Sequence, residues 1–539
     1  MSRFSKMVMD KTKRNDKVTN FMGGVSYNLN PLETLKLVTS SSIFGEPQYY
    51  RSGEFADSGI EVFDGIYTTH DLVSSYSIFD KFEGKKTSQI MEQTIDDALD
   101  FNFEATLLWA VKLRKEFMMR LNPQVIMVRA SIHPKRKAFS EKYPGRFNRI
   151  NNDIMSRADE PSSQLTYWLY SYGSKNKIPS VLKRSWAKKV ESLSIYDIYK
   201  YKNKGLGLID VVRICHANNS FINELMKTGT VTVKANETTW ETLRSSGMPW
   251  SEIIYTIKLP HMALLRNLRN IFTEISDYET CKSVMETLKK GVLDGKQFPF
   301  RYYTAMKYIQ NSEVYHKNLI LDTFEDCIDI SRNNMPKLKG KTMCLSDNSG
   351  SAWGCFNSEY GSVTVAEIDN LSSVLTAQNS EEGYVGKFGD GLKVFPISSS
   401  KGALLQTNEI TENGYNDVGG RTENGIWMFF DQAIKKKEHW DNIFIYSDQQ
   451  AGHGGLYGLN AKEYAPYSYN SNYIDVMKLI FKYRVEVNKN VNVFSIQTAG
   501  YNNVVVPEYS YRTNILYGWT GKEVLFANAI INFWDQNNR

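Results

Sequence analysis

Long apolar runs are missing from this 539-residue sequence. No stretch reaches the roughly 18 consecutive apolar residues that a membrane-spanning helix needs, so the sequence predicts no transmembrane segment. The opening residues, Met1 to Lys17, are basic and lack the apolar core of a secretory signal. Five cysteines, at positions 215, 281, 327, 344 and 355, include no C-x-x-C pair. These absences argue against a disulfide framework and a zinc knuckle, and they predict a cytoplasmic protein.

The motifs of common catalytic sites are also missing. The sequence has no G-x-x-x-x-G-K-[ST] phosphate loop and no G-x-S-x-G nucleophile elbow, and its seven histidines are dispersed. A two-metal nuclease needs enough carboxylates to hold two ions about 3.5–4 Å apart, and no such cluster stands out in the sequence. We therefore predict that the protein is not an enzyme.

Positive charge is concentrated in one part of the chain, whose formal net charge is +6. Residues 1–340 contain 49 Lys+Arg and 38 Asp+Glu, whereas residues 341–539 contain 16 and 21. Residues 101–204 alone contain 21 basic and 8 acidic side chains. Such an asymmetry predicts that the first part of the chain attracts a polyanion.

Two hydrophobic patterns divide the chain, which is long enough for two or more domains. From 30 to 336 the apolar residues recur at helical spacing, as in 260–271, which favours a HEAT-like solenoid of short helices. From 337 to 539 strands and helices alternate, which predicts a doubly wound parallel sheet. Residues 1–29 form a separate basic N-terminal segment in this division. Within the second domain, 361–374 is predicted as a helix and 384–395 as a strand.

Oxygen-bearing side chains follow two predicted strands of the second domain. Asp347, Ser349 and Ser351 form a D-x-S-x-S pattern after the first strand, and Asp448 follows the apolar strand 442–446, with Thr422 in a loop between them. In such sheets ligands bind beyond the carboxyl ends of the strands. Carboxylates and hydroxyls at that edge suit a hard divalent cation, Mg²⁺ or Mn²⁺. The alternative is an ordinary turn, in which Asp and Ser are common.

Cations and aromatic side chains interleave between residues 101 and 204. Single-stranded RNA is held by cations along its phosphates and by aromatic faces that stack on unpaired bases. After the lysine-rich segment ending at Lys204, a predicted helix places Arg213 and His216 on one face. The alternative is that the charged helix faces are merely solvated, and that the aromatics belong to the core. The aromatics concerned are Tyr167, Trp168, Tyr170, Tyr172, Trp186, Tyr196, Tyr199 and Tyr201.

Several segments resemble the TROVE-domain proteins, the family of the large Ro autoantigen. The basic loop and following helix from Tyr201 to His216 are similar to a segment of that family. The run from Leu259 to Leu268 resembles the family's P-x-x-A-L-L-R-N-L helix. Asn30 to Tyr50 resembles its opening segment, and Gln297 to Phe300 a late element. The resemblance covers nearly the whole chain.

The resemblance implies a monomeric HEAT-repeat ring followed by a von Willebrand A domain with a metal-ion-dependent adhesion site. It also implies that the ring binds the 3′ ends of misfolded RNAs in its hole and small non-coding Y RNAs on its outer basic surface. Bacterial members of the family can tether RNA to an exoribonuclease such as polynucleotide phosphorylase. The metal ligands would be Asp347, Ser349, Ser351, Thr422 and Asp448. The RNA-binding residues that we expect are Lys183, Arg184, Lys200, Lys202, Lys204, Arg213, His216, His261 and Arg266.

Three functions remain open at the level of the sequence. The first is an RNA-binding scaffold or chaperone in a ribonucleoprotein, active in RNA quality control. The second is a metal-dependent protein-interaction module that recruits a partner such as an exoribonuclease and has little RNA role of its own. The third is a metal-dependent nuclease.

Overall fold

The fold is taken from a computed structural model of the chain. Among its described helices, none combines the length and the hydrophobicity of a membrane-spanning segment. The structure describes residues 17–19, 25–40, 48–49, 55–56, 87–115, 119–202, 207–232, 239–297, 299–353, 355–358, 361–420, 425–448, 468–470, 473–498, 503–506, 512–517 and 523–537.

Helices make up most of the described chain before residue 336. In order they are α1 Pro31–Ser40, α2 Thr87–Lys115, α3 Asn122–Ile132, α4 Lys135–Lys142, α5 Arg146–Ile154, α6 Glu160–Tyr172, α7 Ser180–Glu191, α8 Ile195–Tyr201, α9 Leu208–Cys215, α10 Ser220–Thr228, α11 Trp240–Ser245, α12 Trp250–Thr256, α13 His261–Glu274, α14 Tyr278–Lys290, α15 Val292–Gly295, α16 Pro299–Gln310 and α17 Lys317–Ser331. Four short strands accompany them: β1 Lys17–Thr19, β2 Val25–Asn28, β3 Gln48–Tyr49 and β4 Phe55–Ala56.

Local signals in the sequence account for the boundaries of these helices. Helix α13 begins directly after Pro260, whose ring is compatible with the start of a helix and whose extended ψ of 144° marks the turn into it. Leu264, Leu268 and Ile271, spaced for one helical face, are all buried. Helix α8 begins with a capping box between Ser194 and Asp197. The helices predicted from apolar spacing are therefore present.

The helices pack into two successive hydrophobic cores. We call α1–α10 the first helix set, because their buried side chains, from Leu35 to Leu225, belong to one cluster. Helices α11–α17 form the second helix set, whose cluster begins at Trp250 and continues into the following domain. Most of these helices bury an apolar face against nearby helices, which is how a helical solenoid builds a continuous core.

A six-stranded sheet organises the rest of the chain. Its strands lie in the order β15 (Thr513–Tyr517), β13 (Asn492–Gln497), β10 (Asn442–Ser447), β5 (Leu338–Asp347), β8 (Ser380–Phe388) and β9 (Leu392–Ile397). All neighbouring strands in it are parallel except β8 and β9. The elements are β5 Leu338–Asp347, β6 Cys355–Ser358, β7 Gly361–Thr364, α18 Val365–Gln378, β8 Ser380–Phe388, β9 Leu392–Ile397, α19 Ala403–Thr411, α20 Gly425–Lys436, β10 Asn442–Ser447, β11 Ser468–Asn470, β12 Tyr473–Ile474, α21 Val476–Glu486, β13 Asn492–Gln497, β14 Asn503–Val504, β15 Thr513–Tyr517 and α22 Glu523–Asn537.

Alternate residues of the central strands enter different cores, because successive side chains of a strand point to opposite faces. Ile443 and Ile445 of β10 pack with α20 and α21, in a core of their own. Phe444 and Tyr446 pack with α18, α22 and the second helix set. Strands buried on both faces have continuous apolar runs, as 442–446 does. The parallel, doubly wound sheet predicted from the alternation of strands and helices is present.

Both helix sets contact this α/β domain. Val365 and Ala366 of α18 belong to the core of the first helix set. Lys307 of α16, in the second helix set, forms a 3.0 Å ion pair with Glu367 of α18. Near the start of the chain, β2 pairs antiparallel with β14, with Tyr27 opposite Val504. Residues 25–28, predicted as part of a separate basic segment, therefore pair with residues 503–504 of the α/β domain. The division of the chain into domains at 29 and 336 stays a prediction.

Two of the predicted elements of the α/β domain were wrong in detail. Residues 361–374 were predicted as one helix, but 361–364 form the second strand of a hairpin and α18 begins at Val365, capped by Thr364. Residues 384–395 were predicted as one strand, but the chain reverses between β8 and β9 near Gly389 and Gly391. Alternation of apolar residues continues through such a turn, so it does not reveal the reversal.

Candidate metal centre and nucleic-acid interface

Asp347 and Asp448 lie side by side at one edge of the sheet. Strands β5 and β10 are parallel neighbours with Ser346 opposite Tyr446, so the residues that end them emerge at the same edge. The Asp347 side chain is fully buried, and Asp448 is 3% exposed. This is the carboxyl edge at which doubly wound sheets bind ligands.

The D-x-S-x-S turn joins these two aspartates through hydrogen bonds. The Ser349 backbone N–H donates to Asp347 Oδ1 at 2.9 Å, and the hydroxyls of Ser349 and Ser351 are 3.1 Å apart. Ser351 donates to Asp448 Oδ2 at 2.9 Å, and Ser447 donates to Asp347 Oδ2 at 2.7 Å. Four of the five predicted ligand residues therefore form one connected cluster of oxygen atoms.

Thr422, the fifth predicted ligand, lies outside the described residues. The described part of its loop ends at Gly420, whose carbonyl accepts a 2.7 Å hydrogen bond from the Gly350 N–H in the D-x-S-x-S turn. Lys387 of β8 supports the same loop: its fully buried ammonium group lies 2.8 Å from Asp417 Oδ1 and donates to the Glu412 carbonyl at 3.1 Å. The sequence also has a glycine-rich run, 452–455, after Asp448, where we expect a loop over the metal site; this run lies outside the described residues.

Asp369 of α18 is a third carboxylate at this edge, and the sequence analysis missed it. It is fully buried, its Oδ1 atom has no hydrogen-bond partner among the described residues, and Thr498 donates to Oδ2 over 3.4 Å. No sequence pattern points to it, because it lies in the middle of a helix with no link to the D-x-S-x-S spacing. Helix α18 is buried along almost its whole length, and only this packing directs Asp369 to the strand ends.

The electrostatics of the three aspartates favour a bound proton or a bound cation. Burial, and then repulsion from Asp448, raises the pKa of Asp347 to about 7, despite hydrogen bonds from Ser447 and Ser349 that lower it. Burial, and then the charge of Asp347, raises the pKa of Asp369 well above its ordinary value. Desolvated like charges disfavour ionisation unless a positive charge compensates them.

The donor set fits a hard, oxygen-seeking cation better than a soft metal ion that prefers sulfur or imidazole ligands. It consists of carboxylates and hydroxyls, which are ligands for Mg²⁺ or Mn²⁺. Among the described residues no group of three or more His, Cys, Asp or Glu side chains has the spacing to ligate a metal directly. A cation here would therefore depend on Ser349 and Ser351 together with Asp347 and Asp448, and on water.

The turn is itself fixed by a buried amide network. Asn370 of α18 accepts hydrogen bonds from the Ser346 hydroxyl at 2.7 Å and from the Asn348 side chain at 2.8 Å. Its own amide donates to Asn348 and to Thr411, each at 3.1 Å. A network of this kind, once satisfied, holds its members in one geometry. It therefore preorganises the D-x-S-x-S turn without using the site's own oxygens.

The predicted RNA-binding cations of the first helix set lie on α7, α8 and α9. Buried Val181, Leu182 and Trp186 define the inner face of α7, which leaves Lys183 half-buried and Arg184 exposed. Arg213 is exposed on α9, and exposed His216 ends that helix in a left-handed conformation with φ of 57°. Helices α7 and α9 are in contact. We call this group of side chains the α7–α9 cationic surface; Lys204 lies outside the described residues.

Tyrosines accompany the lysines of this surface. The Lys202 ammonium lies 4.6 Å from the centre of the Tyr199 ring and also contacts the Thr230 hydroxyl. Lys200 lies 5.6 Å from the ring of Tyr201. By contrast, four aromatics that the sequence places among the cations are buried in the core. These are Tyr167, Trp168, Trp186 and Tyr201.

Ion pairs engage five arginines of the basic stretch. Arg114 pairs with Glu160 at 2.7 Å, and both are almost fully buried. Arg120, Arg129, Arg146 and Arg157 also pair with carboxylates. In the described part of the chain no carboxylate pairs with the cations of the α7–α9 surface. Those cations are Lys183, Arg184, Lys188, Lys200, Lys202 and Arg213.

His261 and Arg266 lie apart from this surface, on α13 of the second helix set. The His261 ring packs against Gly291 and Gly295, and its Nε2 atom lies 2.7 Å from the Tyr302 hydroxyl. Burial lowers the pKa of His261, so the ring is neutral at pH 7. Arg266 is exposed on the same helix. His261 thus has a packing role in this structure, and the two residues are not brought together with Lys202 and His216.

Comparison with known proteins adds two matches. The model of the TROVE domain family matches residues 226–344, which cover the second helix set and the first strand of the α/β domain. The crystal structure of the Deinococcus radiodurans Ro (RSR) protein superimposes with a TM-score of 0.57 and 11% sequence identity, over 82% of this chain and 93% of that chain. No curated protein sequence matches the chain.

At 11% identity the structural match speaks for the fold alone, and it agrees with a helical-repeat ring followed by a von Willebrand A-like domain. The family match falls on the second helix set, where the sequence resemblance at 259–268 had pointed. Residues 226–344 thus resemble the TROVE domain, and the fold of the chain is similar to that of the Deinococcus radiodurans Ro protein.

Proposed function

We propose that the protein is an RNA-binding scaffold or chaperone in a ribonucleoprotein, and that it holds small Y-like RNAs and the 3′ ends of misfolded RNA. The observation that carries the proposal is the α7–α9 cationic surface. Its cations lie on α7 and α9, which are in contact, and on α8 and the residue after it, which stand between them in sequence. No described carboxylate pairs with them, so their charge is available to phosphates. The match of residues 226–344 to the TROVE domain family supports an RNA ligand rather than another polyanion.

The chemistry of the surface suits unpaired or irregular RNA. Lysine and arginine neutralise phosphates irrespective of sequence, and this term dominates affinity. Tyr199, beside Lys202, adds a ring on which a base can stack. A histidine at the end of α9 donates hydrogen bonds to phosphate or base edges, most strongly when it is protonated.

A divalent cation at the sheet edge is the second element of the proposal. Asp347, Ser349, Ser351 and Asp448 would hold Mg²⁺ or Mn²⁺, with Thr422 as the remaining ligand expected from the family resemblance. A cation held by few carboxylates keeps open positions, and such a position can accept an acidic side chain of a partner protein. An exoribonuclease such as polynucleotide phosphorylase is the partner that the resemblance implies. In this role the site binds, and no reaction is assigned to it.

The second candidate function is a metal-dependent protein-interaction module with little RNA role of its own. The buried Asp347–Ser351–Asp448 cluster favours it, because the amide network that holds its turn lies within the α/β domain and does not involve the two helix sets. Salt dependence separates the two functions. Phosphate contacts make log K fall with log[salt], with a slope of about −0.7 per contact for single strands. A filter-binding titration of the full chain with RNA, between low and physiological salt, should give a slope of log K against log[salt] that corresponds to several phosphate contacts. Binding that is absent, or indifferent to salt, contradicts the RNA proposal.

A further inference from the structure

A pocket of about 350 Å³ opens between the end of α12, the segment 257–260 and the outer side of α14. It lies in the second helix set, within the residues that match the TROVE family, and it includes none of the cations of the α7–α9 surface. Its volume falls in the range of roughly 300–1,000 Å³ that is usual for sites of small ligands. The pocket is therefore large enough for one unit of a longer ligand.

Tyr255 forms one wall of this pocket. With 75% of its surface exposed, it is the most exposed large hydrophobic side chain among the described residues. Its hydroxyl lies 3.2 Å from the Thr280 hydroxyl of α14, which holds the ring against that helix. Leu264 and Val284, both buried, contribute apolar side chains to the lining. A planar group entering here would cover a tyrosine ring and apolar floor that otherwise face water.

Polar groups without partners line the pocket beside that ring. Segment 257–260 is extended, with Ile257 at φ −137° and ψ 149°, so it has left the helical hydrogen-bond pattern. The backbone N–H groups of Lys258 and Leu259 donate to no described residue. Lys258 is exposed, and no described carboxylate pairs with it. The pocket thus offers a ring, backbone donors and a single cation.

Charge distinguishes this pocket from the α7–α9 cationic surface. Residues 240–336 contain 12 Lys+Arg and 12 Asp+Glu, so this region exerts little general attraction on a polyanion. Recognition here must depend on short-range contacts. A ring face for stacking and edge donors for hydrogen bonds are what proteins use to bind bases that have left the stack.

We propose that the pocket formed by Tyr255, Lys258, Leu259, Leu264, Thr280 and Val284 binds one unpaired nucleobase of single-stranded RNA, stacked on Tyr255, with Lys258 contacting the adjoining phosphate. This inference rests on the proposed RNA-binding function and adds a second, base-directed contact to it. The α7–α9 surface attracts the backbone of any RNA, whereas the pocket requires an unpaired base. The two contacts together favour RNA with a single-stranded segment over a perfect duplex.

The test compares single-stranded and duplex RNA with full-length variants. Fluorescence anisotropy measures the affinity for an oligouridylate of about ten nucleotides and for a blunt duplex. Tyr255→Ala should weaken binding of the single strand about tenfold, the loss expected for one base–aromatic stack, and leave duplex binding unchanged. Tyr255→Phe, which keeps the ring, should bind within about twofold of the parent. Tyr308→Ala removes a tyrosine ring that is 54% exposed and outside the pocket, and should have no effect.

A second readout reports the base directly. In saturation-transfer NMR with uridine monophosphate, the base protons should receive more saturation from the parent protein than the ribose protons, and Tyr255→Ala should abolish the difference. Because the Tyr255 ring is mostly exposed, its loss should leave thermal melting unchanged.

Unchanged single-strand affinity in Tyr255→Ala, or an equal loss in Tyr308→Ala, overturns the pocket assignment. If loss of Lys202 and His216 still weakens RNA binding in that case, the proposed function stands without the pocket. A chain that binds neither RNA overturns both. Absence of saturation transfer to the nucleotide, together with unchanged RNA affinity in Tyr255→Ala, would also overturn the assignment of the pocket to a base.

Discussion

The hydroxyl of Ser351 donates a 2.9 Å hydrogen bond to Oδ2 of Asp448, a residue 97 positions later in the chain. This bond connects the D-x-S-x-S turn after β5 to the end of the neighbouring strand β10. Neither residue type is unusual after a strand. Their meeting depends on the parallel pairing of β5 with β10, which brings both strand ends to one edge.

Loss of Asp347 should abolish the response of the protein to Mg²⁺. In a thermal melting assay the parent should be stabilised by millimolar Mg²⁺, because a cation that binds the folded state alone raises its stability. Asp347→Ala removes the carboxylate at the centre of the cluster and should melt at the same temperature with and without Mg²⁺. Asp431→Asn, on α20 away from the sheet edge, is the matched control and should keep the full response. An equal Mg²⁺ shift in Asp347→Ala and the parent would refute the site.

Asp369 should tune the cation site without being essential to it. Asp369→Asn removes a buried acid with an unpartnered oxygen, so the metal-free protein should melt at a higher temperature. It also removes negative charge near Asp347 and Asp448, so the stabilisation by Mg²⁺ should shrink but persist. Melting curves with and without Mg²⁺ give both quantities. A metal-free melting temperature below that of the parent would contradict this role for Asp369.

Stability of the metal-free protein should depend on pH through Asp347. Its pKa is about 7 in the folded state, against an ordinary value of 3.8 for an aspartate. Between these values the folded state keeps a proton that the unfolded state releases. The contribution of Asp347 to the free energy of unfolding is therefore complete below pH 3.8 and is lost as the pH rises through about 7.

Melting temperatures of the parent and of Asp347→Asn, measured from pH 4 to pH 8 in a chelator, isolate this contribution. The parent should lose more stability over the range than the variant, and Mg²⁺ should restore it near neutral pH. Parallel curves for the two proteins would show that Asp347 does not titrate in this range.

Lys202, Lys204 and His216 should matter for RNA and not for the fold. Lys202→Ala/Lys204→Ala/His216→Ala should weaken RNA binding and reduce the magnitude of the salt slope by about 1.4, for two lost phosphate contacts. His216 is exposed and Lys202 is partly exposed, so circular dichroism and melting should remain those of the parent. Lys290→Ala, an exposed lysine of α14 in the second helix set, is the matched control. Unchanged affinity of the triple variant in filter binding would exclude this surface as the RNA contact.

Incubation of labelled RNA with the protein and Mg²⁺ tests the third function that the sequence left open, a metal-dependent nuclease. We expect the RNA to stay intact, since two of the four described ligand residues are serines, which leaves fewer carboxylates than two metal ions need. Cleavage that depends on Mg²⁺ and is lost in Asp347→Ala would establish the nuclease instead.

Much of this protein follows from short-range patterns in its sequence. Helical spacing of apolar residues is a local pattern. Helices such as α13, and the change near residue 336 from helical spacing to alternating strands and helices, can therefore be predicted without a structure. Net charge is additive along the chain, so the basic stretch 101–204 is visible as well. The D-x-S-x-S spacing and the aspartate after β10 needed only the rule that parallel strands end at one edge.

Tertiary structure decided which of these groups are available. Arg114 and Lys202 count equally in the charge of the basic stretch, yet packing buries Arg114 against Glu160 and leaves Lys202 beside Tyr199. Packing also placed His261 against two glycines, and turned Asp369 toward the strand ends. Burial and pairing are set by neighbours that are distant in sequence. A residue's chemistry can therefore be read from its type, whereas its role depends on contacts that only the fold creates.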